Sequence, residues 1–308
     1  MDINGHTRVL GVIGNPVEHT MSPVIHNNLA AATGENLVYT AFHVENENVG
    51  DAVKGAYALN LLGMNVTVPH KSAVIPYLKE IDPLAGRIGA VNTLVRCEGG
   101  FKGYNTDMPG LLRAMEHDGV AIKGEEIILL GAGGVARAVA MMLADNGAAQ
   151  IYILNRSLKK AEEIAREVNS YCKKSHSGSD GNNSLEPSKE GFEPVKAMGL
   201  EEFSSLPSDR KYIAIHATSV GMHPNTEEAV IEDEKFYKLV KTGYDIVFNP
   251  LETKFMKLCK AAGGESFGGL RMLLYQGIIA YELWTGKSIS DNLADEVYEK
   301  MLDAMRNF

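Results

Sequence analysis

Apolar segments typical of strands alternate with helical segments along almost the whole chain. The alternation is clearest in EEIILLGAGGVARAVAMMLADNG, where an apolar strand at 127–130 passes through a glycine turn into an apolar helix that ends near Gly147. Repetition of this kind places successive strands side by side in parallel, with helices covering the faces of the sheet. The sequence therefore predicts an α/β protein whose sheets are largely parallel and doubly wound.

Two short segments have the composition of helix starts. In Ser22-Pro23 and in Asp107-Met108-Pro109, a polar side chain can cap the first backbone amides, and proline suits the first helical turn.

Further along, residues 172–196 are rich in Ser, Gly, Asn, Lys and Glu and have almost no apolar residues before Phe192. They are predicted to form a flexible surface insertion, of which residues 173–191 should be dispensable.

Composition and charge exclude several classes of protein. The 308 residues include 30 Lys and Arg against 39 Asp and Glu, a formal net charge of −9, which argues against a broad nucleic-acid or anionic-membrane surface. The cysteines, Cys97, Cys172 and Cys259, are far apart and suggest neither a disulfide framework nor a zinc site. The first residues lack the pattern of a signal peptide, and the most apolar stretch, 127–144, fits a buried strand and helix better than a membrane span. A cytoplasmic protein without a metal site is expected.

The glycine turn after the strand at 127–130 has the spacing of a nucleotide-binding loop. Gly131, Gly133 and Ala136 fit the pattern G-x-G-x-x-G/A. The first glycine makes the tight turn, the second lets the backbone approach a pyrophosphate, and the third small residue lets the helix pack on the strand. Nucleotide binding is the favoured interpretation, and a merely tight strand–helix turn is the alternative.

The end of the next strand, ILNRSLKK, indicates which dinucleotide is bound. An NAD site would carry a carboxylate here to hold the ribose hydroxyls, whereas this chain has Asn155 and Arg156, followed by Ser157 and Lys160. A guanidinium can bind a 2′-phosphate in forked geometry, and a carboxylate would repel it. The sequence therefore favours NADP over NAD. The alternative, a solvated helix N-terminus, is weakened because cations there oppose the helix dipole.

The segment NVTVPHK, residues 65–71, delivers polar groups to the end of a predicted strand. Val66 and Val68 point to one face, while Asn65 and Thr67 share the other, and Lys71 follows at once. Strand ends are where α/β folds bind ligands, so this amide, hydroxyl and ammonium are candidates for a ligand site. A solvated turn is the alternative.

Ordered motifs over nearly the whole chain resemble those of the shikimate dehydrogenases. They are GNPVEHTMSP, NVTVPHK, AVNT, GYNTD, GAGGVARA, NRS, ATSVGM, YDIVFNPLET and GGLRMLLYQ. The resemblance implies an enzyme of aromatic amino-acid biosynthesis that reduces 3-dehydroshikimate to shikimate with NADPH. It also implies a substrate domain at 1–107, completed by C-terminal helices at 269–308, and a Rossmann NADP domain at 108–268. The active site would lie in the cleft.

The resemblance also implies the site residues, position by position. Substrate contacts would come from Thr20, Ser22, Asn65, Thr67, Lys71, Asn92, Asp107, Tyr244 and Gln276. Cofactor contacts would come from Gly131, Ala132, Gly133, Gly134, Asn155, Arg156, Ser157, Lys160, Thr218, Gly221, Met222 and Gly269. The implied reduction of a ketone by hydride leaves an alkoxide that needs a proton, so Lys71 would be the acid in reduction and the base in oxidation. Asp107 would orient and charge the catalytic Lys71, although a plain helix cap is the alternative for Asp107.

Three departures from the family pattern matter, and the first of them puts the preference for shikimate over quinate partly in doubt. Thr20 stands where a serine is common, Arg271 stands where a small residue is frequent, and the segment at 172–196 is longer than usual. A quinate/shikimate dehydrogenase of broader specificity is therefore an alternative, and a nucleotide-sensing module without turnover is another. The partner is expected to be a small molecule, and the protein a monomer or homodimer.

Overall fold

The chain folds into two compact units. The computed structural model describes residues 3–177 and 193–306. Residues 1–114 and 271–308 form the first unit, and residues 115–270 form the second. The boundaries expected from the sequence, after residues 107 and 268, are a few residues earlier. Assigning substrate to one unit and cofactor to the other stays a prediction.

The N-terminal part of the chain builds a mixed sheet with helices against it. Its elements are β1 (Arg8–Gly14), α1 (Ser22–Thr33), β2 (Leu37–His43), α2 (Val49–Ala58), β3 (Gly63–Val66), β4 (Glu80–Ile81), α3 (Pro83–Ile88), β5 (Thr93–Cys97), β6 (Gly100–Tyr104) and α4 (Asp107–His117). The strand order is β2-β1-β3-β5-β6-β4. The strands β2, β1 and β3 are parallel, but β5 runs antiparallel to both β3 and β6. The prediction of a largely parallel sheet therefore holds only in part for this unit, because β5 and β6 form a hairpin.

The second unit is a doubly wound parallel sheet, as the sequence predicts. Its elements are β7 (Glu126–Leu130), α5 (Gly134–Asp145), β8 (Gln150–Leu154), α6 (Leu158–Ser177), β9 (Val195–Met198), β10 (Tyr212–His216), α7 (Glu234–Tyr237), β11 (Val240–Asp245), α8 (Lys254–Ala261) and β12 (Glu265–Phe267). The order β12-β11-β10-β7-β8-β9 reverses direction between β7 and β10. In such sheets, ligands bind at the carboxyl ends of the strands beside this switch point.

Two helices, α9 (Leu270–Thr285) and α10 (Asp291–Met305), end the described chain. From residue 271 onward they belong to the first unit. The Trp284 indole of α9 donates a hydrogen bond of 2.8 Å to the Leu94 carbonyl. In α4, a Cβ at Gly110 would lie 2.7 Å from the backbone nitrogen of Gln276, so only glycine lets α4 and α9 approach this closely. This close approach positions Gln276.

The structure contradicts both predicted N-caps. Ser22 is the first residue of α1 and Met21 is the cap, without a side-chain hydrogen bond. Asp107 is likewise the first residue of α4, and Asn105 takes the capping position: its Oδ1 accepts hydrogen bonds from the backbone N–H groups of Asp107 and Met108. A polar residue followed by proline marked both helix starts, but the exact capping residue depends on the preceding loop.

The predicted insertion at 172–196 is wrong at both of its ends. The helix α6 continues through residue 177, and residues 195 and 196 belong to β9, which pairs with β8. The remaining part, 178–192, lies outside the described residues. Between the two ends, Lys173 Nζ donates a hydrogen bond of 3.0 Å to Glu193. The dispensability of 173–191 stays a prediction.

The alternating pattern at 65–68 predicted a strand over all four residues, but the observed strand β3 ends earlier. It ends at Val66, which is 1% exposed, whereas Val68 is 65% exposed and already belongs to the turn before Pro69. The short strands β4, β9 and β12 were not predicted. Among residues 3–177 and 193–306, no helix is long and apolar enough to cross a membrane.

The loop after β1, which carries Thr20, is attached to β2 by charged side chains. His43, at the end of β2, contacts Glu18 of the loop through Nδ1 at 3.3 Å and Glu45 through Nε2 at 3.1 Å. Asn15, at the start of the loop, donates to the other oxygen of Glu45 at 2.7 Å. The hydrogen bonds to Glu45 and Glu18 raise the pKa of His43 above its ordinary value.

We expect Gly110→Ala to lower the free energy of unfolding of the first unit by about 1–3 kcal/mol, the usual cost of overpacking. Trp284 is the chain's single tryptophan, so its fluorescence during urea unfolding reports this unit. Gly55→Ala in α2 is the control, because a Cβ there meets nothing within 4 Å. It should stabilise the unit by about 0.5–1 kcal/mol. Equal behaviour of the two variants would contradict the close packing of α4 on α9.

The contribution of His43 to stability should depend on pH. Because its pKa is raised in the folded protein, the contribution is complete below the ordinary value of 6.5 and is lost as pH rises through the folded-state pKa. His43→Gln should therefore destabilise the protein at about pH 5.5 and have little effect at about pH 8.5. Urea unfolding at the two pH values measures this, with exposed His6→Gln as the control. A pH-independent effect of His43→Gln would refute the ion pairs.

Candidate active site

Lys71 lies in a turn that is fixed from both sides. The buried ring of His70 donates through Nε2 to the Val44 carbonyl at 2.7 Å, and the carbonyl of Lys71 accepts from the Val91 N–H at 2.8 Å. The backbone of the turn therefore has little freedom. The Lys71 side chain remains 30% exposed and can reach a ligand.

Lys71 and Asp107 form an ion pair, as the hypothesis of an acid–base pair requires. Nζ of Lys71 lies 2.6 Å from Oδ2 of Asp107, whose side chain is 19% exposed. Because Asn105 caps α4, neither carboxylate oxygen of Asp107 is needed for the helix amides. The plain-cap alternative for Asp107 is therefore wrong, and the carboxylate is free to hold Lys71.

The Asn92 carboxamide fixes the other side of Asp107. Its Oδ1 accepts from the Thr106 N–H at 2.8 Å, which sets the orientation of the amide. Its Nδ2 then donates to Oδ1 of Asp107 at 2.9 Å and lies 3.5 Å from Oε1 of Gln276. Asn92 is 3% exposed and Gln276 is 8% exposed, so Asn92 contacts the ion pair from a buried position and Gln276 lies behind Asn92.

The Asn65 side chain is held by Tyr39, a residue that the sequence did not indicate as part of the site. The Tyr39 hydroxyl donates to Oδ1 of Asn65 at 2.6 Å, and Nδ2 of Asn65 donates to the Asn92 carbonyl and to the Thr93 hydroxyl. Burial raises the pKa of Tyr39 well above its usual range, so the hydroxyl stays protonated and continues to donate. Asn65 thus supports the network, with its amide hydrogens used inside the protein.

A buried histidine, His26, packs against Tyr39 of the Asn65 hydrogen-bond network. The ring of His26 stacks on Tyr39 with centroids 4.2 Å apart, and it is 0% exposed. Burial lowers the pKa of His26 to about 3, because charging the ring would require desolvating the cation. His26 is therefore a neutral packing residue at physiological pH.

Three predicted hydroxyls lie near the ends of β1 and β3. Those of Thr20 and Ser22 are 3.2 Å apart at the N-terminus of α1, whose first turn carries no acidic residue. The half-exposed Thr67 follows β3, and within the described residues its hydroxyl has no hydrogen-bond partner. A helix N-terminus with hydroxyl donors suits an anion such as a carboxylate.

The glycine turn of the second unit has room for a ligand backbone contact. Gly131 adopts φ +116°, a conformation that disfavours other residues, and is sterically confined by Thr218. A Cβ on Gly133 or Gly134 would instead meet nothing within 4 Å, so both glycines present open backbone at the N-terminus of the 12-residue helix α5. Together with Ala132 they form a cradle that fits a pyrophosphate.

Beyond β8, the predicted phosphate-binding residues are exposed. The side chains of Arg156 and Lys160 have no hydrogen-bond or ion-pair partner within residues 3–177 and 193–306, so both cations are available to a ligand. Nδ2 of Asn155 donates to the Ser157 carbonyl at 2.9 Å and shapes this turn. No carboxylate contacts the two cations in that part of the chain, so the site fits a 2′-phosphate.

The loop after β10 and the segment before α9 contain the remaining predicted cofactor residues. Thr218 is half-buried, Met222 is 45% exposed, and Gly221 adopts φ +79°. At Gly269 a Cβ would clash with the carbonyl of Ile246, so this glycine is required by backbone packing.

Tyr244 was predicted to bind substrate, and the structure contradicts this. It lies in β11, is 0% exposed, stacks on Phe267, and donates from its hydroxyl to Asp118 at 3.2 Å. A side chain without exposed surface cannot contact a substrate. Arg271 is likewise held inside its own unit, by Asp295 at 3.1 Å and by the ring of Tyr298.

Several residues with a place in these sites were not predicted. Thr93, Thr106 and His216 lie within or beside the quoted motifs, where their neighbours provided a signal. Tyr39 carried no such signal, because an aromatic residue in a strand is ordinarily core. Among the described residues, no cluster of His, Cys, Asp and Glu could hold a metal ion.

Comparison with known proteins agrees with the resemblance in the sequence. Residues 12–94 match the shikimate dehydrogenase substrate binding domain, residues 114–185 match shikimate/quinate 5-dehydrogenase, and residues 269–297 match the shikimate 5′-dehydrogenase C-terminal domain. The NADP(+) shikimate dehydrogenase of Moorella thermoacetica is 38% identical over 99% of this chain and 97% of that protein.

Solved structures of relatives have the same fold. A shikimate dehydrogenase crystallised with NADP+ superimposes with a TM-score of 0.84 at 38% identity, covering 98% of this chain and 97% of that one. The enzyme of Thermus thermophilus, in complex with NADP(H) and shikimate, gives 0.79 at 30% identity over 96% and 100% of the two chains. This chain belongs to the shikimate dehydrogenase family.

Proposed function

We propose that this protein is an NADP-dependent shikimate dehydrogenase, which reversibly reduces 3-dehydroshikimate to shikimate in the biosynthesis of aromatic amino acids. The observation that carries the proposal is the Lys71–Asp107 ion pair of 2.6 Å, supported by the buried Asn92 amide. Carbonyl reduction needs a proton donor held in place, and a protein that only senses a nucleotide does not.

The residues of the first unit act on the substrate. NADPH, when bound, supplies the hydride. As the carbonyl is reduced, negative charge develops on its oxygen, and the Lys71 ammonium gives this oxygen its proton. Asp107 orients the Lys71 ammonium before the transfer, and in the reverse direction the amine of Lys71 accepts the proton from the alcohol.

The remaining polar groups orient the substrate. The hydroxyls of Thr20 and Ser22, at the N-terminus of α1, are suited to donate to the substrate carboxylate. Thr67 and Gln276 are proposed to contact the ring hydroxyls. Tyr244 is omitted from this set because it is buried.

The second unit is proposed to bind the cofactor. The open backbone at Gly133 and Gly134 receives the pyrophosphate, and the unpartnered cations of Arg156 and Lys160 receive the 2′-phosphate. The preference for NADP follows from these cations. The oligomeric state, monomer or homodimer, stays a prediction.

A dehydrogenase that also accepts quinate is the second candidate. The observation in its favour is Thr20, whose methyl group adds bulk beside Ser22 in a hydroxyl pair that quinate-using relatives vary. Assays that cross shikimate and quinate with NADP+ and NAD+, followed by the absorbance of the reduced nicotinamide, decide between the two. Absence of turnover in all four combinations would refute both dehydrogenase proposals and leave the nucleotide sensor.

We expect Lys71→Ala to lower kcat by about 10²–10⁴-fold, the usual contribution of a positioned acid–base group, while KM for shikimate changes far less. Steady-state kinetics measure this. Lys54→Ala is the control, since Lys54 is a lysine of the same unit with a 75% exposed side chain. Asp107→Asn should also lower kcat, because Lys71 loses its charged partner. Near-native kcat in Lys71→Ala would overturn the catalytic proposal.

We expect Arg156→Asp to raise KM for NADPH by about ten- to a hundredfold, since a charge-assisted contact contributes about 1.5–3 kcal/mol. KM for NADH should rise less, because NADH lacks the 2′-phosphate. Arg166→Asp, on the exposed face of α6, provides a matched change of charge without the proposed contact. Equal efficiency of the unmodified enzyme with NAD+ and NADP+ would contradict this assignment.

A further inference from the structure

A chain of buried hydrogen bonds lies behind the loop that follows β10. His216 and Asp245, the last residues of β10 and β11, are neighbours in the sheet and are 1% and 0% exposed. Nδ1 of His216 lies 2.8 Å from Oδ1 of Asp245, and Nε2 lies 2.6 Å from Oγ1 of Thr218. The histidine therefore connects a fully buried carboxylate to a half-buried hydroxyl.

The contacts of Asp245 set the tautomer of His216. The carboxylate accepts hydrogen bonds from the Val247 N–H at 2.9 Å and from the Thr253 hydroxyl at 2.6 Å, as well as from the histidine. A carboxylate only accepts hydrogen bonds, so Nδ1 of His216 carries the proton of that contact. In the neutral imidazole Nε2 is then an acceptor, and Thr218 donates its hydroxyl proton to it.

This arrangement leaves Thr218 only acceptor capacity. Its single hydroxyl proton is used by His216, and its oxygen also accepts from the Val220 N–H at 3.1 Å. One lone pair remains for a ligand. A ligand group that meets Thr218 must therefore be a hydrogen-bond donor.

Thr218 stands at the switch point of the sheet. Its Cγ2 lies 2.7 Å from where a Cβ on Gly131 would be, so it packs against the glycine turn after β7. The inference rests on the proposed function, in which the 2′-phosphate binds Arg156 after β8, on the far side of β7. The nicotinamide half of the cofactor then extends toward β10. Apart from the ribose hydroxyls, the hydrogen-bond donor of this half is the carboxamide –NH2.

We propose that Asp245 and His216 are positioning residues, which fix the Thr218 hydroxyl as the acceptor for the nicotinamide carboxamide –NH2. Thr218 touches the cofactor, and the other two act through it. Asp245 and His216 exclude the opposite orientation of the Thr218 hydroxyl. In that orientation the hydroxyl proton would point at the –NH2 group, and two hydrogen-bond donors would face each other.

The 3-acetylpyridine analogue of NADP+ tests the contact, because it replaces the carboxamide –NH2 by a methyl group. Isothermal titration calorimetry with the full chain should give a preference for NADP+ over the analogue. Thr218→Val should reduce this preference by about three- to tenfold, the usual effect of one neutral hydrogen bond. Thr218→Ser should retain it. An unchanged preference in Thr218→Val would overturn the proposal.

His216→Asn tests the positioning step. Asparagine can still donate to Asp245, but it is too short to reach Thr218, so the preference for NADP+ over the analogue should fall toward that of Thr218→Val. Retention of the full preference in a folded variant, with only a lower melting temperature, would show that His216 is structural and would refute the proposal.

Imidazole ¹⁵N NMR of the unmodified protein provides a test that needs no variant to fold. The proposal requires His216 to be protonated at Nδ1 and unprotonated at Nε2, and a proton on Nε2 would overturn it.

These measurements separate the two proposals. Discrimination between the cofactors without shikimate turnover would refute only the proposed function, while turnover without discrimination would refute only the inference.

Discussion

The polar centre of the first unit depends on the carboxamide of Asn92. Its oxygen is fixed by the Thr106 N–H, so its nitrogen must face Asp107, and Asp107 in turn holds Lys71. Loss of this amide would leave buried groups on both sides without partners, at a cost of about 1–3 kcal/mol each. The same contact that stabilises the end of β6 against β5 therefore also sets the geometry of the proposed acid–base pair.

In the second unit, a buried carboxylate is held by the imidazole of His216, where the first unit uses the carboxamide of Asn92. Asp245 accepts hydrogen bonds from the backbone N–H of Val247, from Thr253 and from His216, and these donors compensate its burial. In the first unit the acid Asp107 is instead paired with a lysine and remains partly exposed. The difference suits the proposed chemistry, because the partner of Asp107 is Lys71, which must reach the substrate to supply the proton, whereas His216 only has to hold Thr218 in place.

Local sequence predicted much of the fold, and tertiary contacts decided the rest. The glycine turn before α5 and the parallel sheet of the second unit were predicted because steric and periodic rules act over a few residues. The caps of α1 and α4 were assigned to Ser22 and Asp107, but the preceding loops placed Met21 and Asn105 there. The short strands β9 and β12 were missed because their pairing with the preceding strand, and not their own sequence pattern, makes them strands.

The sequence by itself determined which chemical groups the sites contain: a lysine after a strand, an aspartate at a helix start, a glycine turn and an arginine where an NAD site would have a carboxylate. Only the tertiary structure decided which of them meet. Tyr244 occupies a motif position but is buried, while Tyr39, outside every motif, orients Asn65. The physical reason is that a hydrogen bond depends on distance and direction to within a few tenths of an ångström, and residues far apart in sequence acquire that precision only when the sheet and helices have packed.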